Sequence, residues 1–150
     1  MTRPDSSRLD RASYPSTVAV VARFADIDPL WHINNVALAQ YFEEARVCAI
    51  RAMAADSRIP VAPEERILIA RQTVDYLNEG NYPGSLEVGV GVLRIGTTSF
   101  VLGMGLFQSE RCIAVSEAVM VLANQRGPMP LPDDYRRRLQ AQMLVTERWV

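Results

Sequence analysis

Apolar positions along the chain follow first a period of two, then a helical period, then a period of two again. Val18, Val20 and Ala22 alternate with Ala19, Val21 and Arg23, which predicts a first strand ending near Phe24. From about Asn34 to Ala55 the chain is rich in Ala, Leu, Glu, Arg and Met and holds neither Gly nor Pro. That composition predicts one helix of about twenty residues, roughly 30 Å long. Leu38, Tyr41, Phe42, Ala45, Cys48, Ala49 and Met53 form its broad apolar stripe, with Glu43, Glu44, Arg46, Arg51 and Asp56 on the wetter side and at the exit. A helix this apolar needs a sheet to cover it. After a loop with Pro60 and Pro63, strands are predicted over Arg66–Tyr76, Ser85–Ile95, Thr97–Gln108 and Arg111–Leu122. Leu86, Val88, Val90 and Val92 share one face, as do Phe100, Leu102, Met104 and Leu106. The short connections Gly96-Thr97 and Ser109-Glu110 make the last three strands an antiparallel meander. Pro132-Asp133-Asp134 starts a terminal helix with Tyr135, Leu139 and Met143 as its weak apolar stripe.

Composition narrows this α+β picture to one soluble domain. The 150 residues are 49% apolar and 22% charged, which excludes disorder over most of the chain and a membrane protein. Sixteen basic and 17 acidic residues leave a net charge of −1, so no broad field exists for gripping nucleic acid or an anionic membrane. The chain divides into a polar tail over 1–15, expected to be mobile, a folded domain over 16–128 and a helical extension over 129–150. The tail has no secretory signal character. Every basic residue is arginine and His32 is the only imidazole, which removes Schiff-base chemistry, a phosphate-loop lysine and any multi-histidine metal site; neither metal nor cofactor is expected. Cys48 and Cys112 form no Cys-x-x-Cys pair and are expected to be reduced, buried thiols of a cytoplasmic protein.

The densest chemistry is Asp26-Ile27-Asp28-Pro29-Leu30-Trp31-His32-Ile33-Asn34-Asn35, too polar and irregular for a core element. Asp28 before a proline suits a turn or a cap as well as catalysis. Asp26 suits orientation of the loop, or raising its neighbour's pKa. His32 can position substrate or water, cap the helix, or be a satisfied loop histidine. Asn34 and Asn35 suit helix caps or substrate contacts. Glu43 and Glu44 are ion-paired helix residues unless Asp28 is silent. Arg136, Arg137 and Arg138 suit a solvated face, with anion binding as the alternative. Gly89 and Gly91, inside a strand, suit close backbone packing.

The loop, with Tyr41-Phe42-Glu43-Glu44-Ala45-Arg46 after it, resembles the 4-hydroxybenzoyl-CoA thioesterase family. Val74-Asp75-Tyr76-Leu77, Tyr82-Pro83-Gly84-Ser85-Leu86 and Arg94-Ile95-Gly96-Thr97-Thr98-Ser99-Phe100 extend the likeness over about residues 16 to 125. The resemblance implies a hotdog fold, a five-stranded antiparallel sheet wrapped around a long central helix, here followed by a short C-terminal helix. It implies hydrolysis of an acyl-CoA thioester by a homodimer or a dimer of dimers. Asp28 would be general base or nucleophile, His32 and Asn35 would complete the catalytic set, and the amide near Asn35 would polarise the carbonyl. Asp26, Trp31 and Asn34 would contact substrate. Trp31 stands where the family usually has glycine, and Leu38 where tyrosine is common. Two alternatives on the same fold are an enoyl-CoA hydratase or dehydratase, in which an aspartate and a histidine share proton transfer, and a non-catalytic acyl-CoA-binding protein.

Overall fold

The computed structural model describes residues 4–54 and 64–145, so the expected loop at Pro60 and Pro63 and the first three residues of the expected tail lie outside it. Strand β1 (Ser16–Val21) is followed by helix α1 (Asn35–Ala54) and strands β2 (Arg66–Tyr76), β3 (Ser85–Ile95), β4 (Ser99–Gln108) and β5 (Arg111–Asn124). A two-residue strand β6 (Gly127–Pro128) and helix α2 (Asp133–Ala141) complete the order. Neighbours in the sheet run β1-β3-β4-β5-β2, all antiparallel, with β6 on the end of β5. The sheet carries α1 on one face, as the pattern of the sequence demands. Val88, Val90 and Val92 lie opposite Leu106, Met104 and Leu102 in register. All six are at most 2% exposed and share one core with Phe42, Ala45 and Ala49 of α1. Each such buried side chain contributes about 1.5–3 kcal/mol, which fixes the register because a one-residue slip would turn the whole set outward.

The opposite face of the sheet is closed by the two ends of the chain. Gly89 lies opposite Gly105, and Gly91 opposite Gly103. These four residues leave a trough. A Cβ on Gly89 would sit 2.5 Å from the Tyr14 ring, and one on Gly91 would sit 3.0 Å from Leu144. Tyr14, Phe107, Cys112, Val115 and Leu144 form a second small core there. The Tyr14 hydroxyl donates to the Arg8 carbonyl at 2.7 Å, and the Arg8 guanidinium donates to Glu117 at 2.6 Å and to the Ser116 carbonyl at 3.1 Å. The expectation of a mobile tail is therefore corrected along its described part. Residues 6–9 and 11–13 are 3-10 turns, capped by Asp5 and Asp10; the first packs on β4 and β5, and the second on the first.

Three further expectations change. Arg46, expected on the wet side of the helix, is 6% exposed and donates to Gln72 of β2 at 2.8 Å. Cys48, expected inside, is exposed, whereas Cys112 is buried; neither is in a disulfide. Met143, expected on the terminal helix, lies beyond it and pairs with Val92 in a parallel bridge, with the Leu144 amide donating to the Val92 carbonyl at 2.9 Å. Among the described residues no helix is long and apolar enough to cross a membrane.

Candidate active site

The segment between β1 and α1 is held by two side chains that fold it against the helix. Asp26 is 3% exposed. Its carboxylate accepts from the Arg23 guanidinium at 2.8 Å, from the Arg23 amide at 2.9 Å and from the Tyr41 hydroxyl of α1 at 2.6 Å. The Arg23 bond first of all, opposed by burial and helped by Tyr41, holds its pKa down at about 2. Burial and the same carboxylate push the Tyr41 phenol up. Asn34 caps the helix: its Oδ1 accepts from the Ala37 amide at 2.8 Å, while its Nδ2 and its backbone amide donate to the Asp26 carbonyl at 2.7 and 2.8 Å. Asp26 and Asn34 thus clamp the loop to the helix and do not line the cleft described below.

Between these clamps the chain makes a three-residue hairpin over Pro29, Leu30 and Trp31. The Asp28 amide donates to the His32 carbonyl at 2.9 Å and the Trp31 amide to the Asp28 carbonyl at 3.0 Å. Such a loop requires its third residue in the left-handed region, and Trp31 has φ 68°. Glycine is the usual occupant of that conformation, and the indole here costs about 1–3 kcal/mol in backbone strain. The Trp31 side chain is 79% exposed and outside the cleft. Asp28 Oδ1 accepts from the amides of Leu30 at 2.9 Å and His32 at 3.3 Å, so the carboxylate is fixed by its own loop. The turn role expected of Asp28 is thus present, and it occupies one of the two carboxylate oxygens.

Asp28, His32 and Asn35 come together in one cleft of about 460 Å³ at the N-terminus of α1, walled by Leu30, Val36 and Leu38. Its far wall is Tyr76 with residues 77–80, which the sequence does not single out for this role. Those residues are positioned by β5: the Leu77 and Asn78 amides donate to the Ile113 carbonyl at 2.9 and 3.0 Å, and Asn78 Nδ2 to the Cys112 carbonyl at 2.7 Å. The Ile33 amide donates to the Gly80 carbonyl at 2.9 Å, joining the two walls. Across the cleft His32 Nε2 meets Glu79 Oε2 at 3.0 Å. Nothing in the spacing of the sequence links position 79 to position 32.

The Asn34 side chain satisfies the third amide of α1, and the first two, of Asn35 and Val36, take no acceptor among the described residues. They sit at the positive end of a 20-residue helix. A carboxylate, an imidazole and outward N–H groups thus share one opening, which suits activating water and stabilising an oxyanion. Glu43 and Glu44 lie on α1 outside the cleft, Glu43 at 3.7 Å from Arg46. Of the arginine run, Arg136 donates to the Gly96 carbonyl at 2.9 Å and Arg138 to the Met53 carbonyl at 3.3 Å, both away from the cleft. Among the described residues no three acidic, histidine or cysteine side chains group as metal ligands.

The family model of the thioesterase-like superfamily matches residues 22–139. Among solved structures, a predicted thioesterase from Bacillus stearothermophilus is similar over 87% of this chain and 98% of its own, with 28% identity and a TM-score of 0.76. A thioesterase from Thermus thermophilus complexed with coenzyme A and Zn is similar over 85% of this chain and 98% of its own, with 29% identity and a TM-score of 0.74. A 1,4-dihydroxy-2-naphthoyl-CoA thioesterase from Synechocystis, at 16% identity, shares the fold with a TM-score of 0.72 over 83% of this chain and 94% of its own. No curated protein sequence matches the chain.

Proposed function

Since the chain belongs to the thioesterase-like superfamily and has its hotdog fold, we propose that it hydrolyses an acyl-CoA thioester to CoA and a carboxylic acid at the cleft between Asp28 and the first turn of α1. The observation that carries this reading is the convergence of the Asp28 carboxylate and the outward amides of Asn35 and Val36 on one opening. The thioester carbonyl oxygen would rest on those amides, where the charge that develops on attack is stabilised by donors already oriented. Asp28 takes the proton of a water as that water bonds to the carbonyl carbon, or attacks the carbon itself, in which case the mixed anhydride left on Asp28 after departure of the thiolate is hydrolysed by a water. The C–S bond then breaks and the sulfur leaves as thiolate. With Oδ1 bound by two backbone amides, Oδ2 is the oxygen suited to the reacting atoms. His32, steadied by Glu79, borders the same space and suits positioning of substrate or water.

Oligomerisation belongs to the same reading. The outer edge of β2 runs over 11 residues and has no partner among the described residues. Leu68, Ile69 and Tyr76 on it are 48%, 43% and 42% exposed, and Tyr76 also lines the cleft. A long, apolar open edge is a template for a second chain, so pairing of two copies along β2 would bring a partner to the border of the reaction site.

The test is release of thiol from a panel of acyl-CoAs by the wild type and by Asp28→Asn. Hydrolysis that vanishes in the variant, with CoA affinity and assembly retained, supports the proposal; full hydrolysis by the variant overturns it. The Asp28–His32 pairing in one cleft also fits an enoyl-CoA hydratase, and loss of enoyl absorbance without thiol release would select that chemistry.

A further inference from the structure

Glu79 stands on a stretch of backbone pinned before it, at it and after it. The Asn78 amide and side chain are bonded to the Ile113 and Cys112 carbonyls of β5, the Arg111 guanidinium donates to the Glu79 carbonyl, and the Gly80 carbonyl accepts from the Ile33 amide. From this mount the Glu79 side chain, 67% exposed, reaches one polar partner among the described residues, His32 Nε2 at 3.0 Å. His32 is tied to the opposite wall through its main chain: its carbonyl accepts from the Asp28 amide at 2.9 Å, and its amide donates to Asp28 Oδ1 at 3.3 Å. Its Nδ1 has no hydrogen-bond partner among the described residues.

We propose that Glu79 is a positioning residue, which fixes the hydrogen of His32 on Nε2 and so keeps Nδ1 as a hydrogen-bond acceptor for the water of the reaction. An ionised carboxylate can only accept, so the ring nitrogen that faces it carries the hydrogen, and in a neutral imidazole the other nitrogen is then the acceptor. The charged side chains lining the cleft beside the ring are Asp28 and Glu79, with Arg111 of β5 engaged at the Glu79 carbonyl. The role rests on the proposed hydrolysis. An attacking water has two hydrogens: Asp28 Oδ2 takes one as a proton, and Nδ1 holds the other, which stays on the acid that is released. If Asp28 attacks instead, the same nitrogen holds the water that opens the anhydride. The opposite tautomer would offer the water an N–H, which competes with the carbonyl carbon for its lone pair.

His32 is the only histidine, so its two ring nitrogens are read without ambiguity in long-range proton–nitrogen NMR spectra of the full chain. At about pH 9, well above the ordinary imidazole value of about 6.5, the wild type should show a protonated Nε2 and an unprotonated Nδ1. Glu79→Ala should move both signals toward the tautomer mixture of a free imidazole. In thiol release at the same pH this variant should lose about tenfold in kcat at an unchanged KM, the effect of one hydrogen bond. Glu79→Gln keeps a neutral acceptor at the same reach, so it should hold the wild-type tautomer and lose only about threefold. A wild type with the hydrogen on Nδ1, an Ala variant with full kcat, or equal losses in the Ala and Gln variants each overturns the proposal. A wild type that releases no thiol from any acyl-CoA, yet shows the expected tautomer, would overturn the hydrolytic reading and with it the role, and leave the His32–Glu79 bond standing.

Discussion

The two ends of α1 open onto clefts of the same size, about 460 Å³ each, with opposite contents. At the N-terminal end lie Asp28, His32 and Asn35 with the first amides of the helix; at the C-terminal end lie valines, alanines and one arginine at the rim. The direction of the backbone explains the contrast. A helix begins with N–H groups that point outward and ends with carbonyls that do. The first set attracts developing negative charge and the second attracts a cation, which is the role Arg138 fills at the Met53 carbonyl. One rod thus has a polar end and an apolar end, and the two should respond to different substitutions.

The largest separation of the poles is expected from Asp28→Asn. Thiol release should fall about a thousandfold, in the range of a lost general base, while the rate at which a maleimide labels the exposed Cys48 stays as in the wild type; a change at both poles would mean the loop and the far cleft are coupled. Asn34→Ala comes next. It removes a cap and a tie to Asp26, and a loss of about 1–2 kcal/mol is expected from the shift of the urea midpoint, with the rate of thiol release reduced as the first turn loosens. An unchanged midpoint would show that another group caps the helix.

Acid sharpens the contrast from the same pole. The folded-state pKa of Asp26, about 2, lies below its ordinary value, so its stabilisation is present above about pH 4 and is lost as the pH falls toward 2. About 1–2 kcal/mol is expected in that window, discounted because the Arg23 side chain is 68% exposed. Asp26→Asn should flatten the dependence in melting curves taken across it, and a slope that survives the substitution would assign the acid sensitivity elsewhere. The smallest effect is a gain. Trp31→Gly relieves a left-handed backbone at little cost in contacts, because the indole is exposed, and should raise stability by about 1 kcal/mol. A fall in melting temperature would mean that the indole packs in solution.

Legibility in the sequence follows the range of the forces involved. The alternation at 86–92 and 100–106 and the Gly-free, Pro-free helical run already specify strands and helix, because burial repeats at fixed spacing along the chain. Asp28, His32 and Asn35 are legible as one dense polar loop, and the structure brings those three to one cleft. Arg46 and Cys48 depart from the pattern because their surroundings are set by tertiary contacts and not by helical spacing: Arg46 is buried with its guanidinium on Gln72 of β2, and Cys48 borders the cleft between α1 and α2. Glu79 is silent in the sequence because its partnership with His32 depends on how β5 seats residues 77–80. Trp31 is visible as an odd residue in a glycine position, but the hairpin that makes it strained is a matter of hydrogen bonding.

The glycine trough on the back of the sheet bears on how the protein is handled. Removing the chain through Tyr14 would take away the ring that fills it at Gly89 and Gly105 and lay bare Phe107, Cys112 and Val115, its partners in the small core. Clumping of such a shortened version would then be a product of the scissors, and any stoichiometry measured on it would describe the wound instead of the intact molecule.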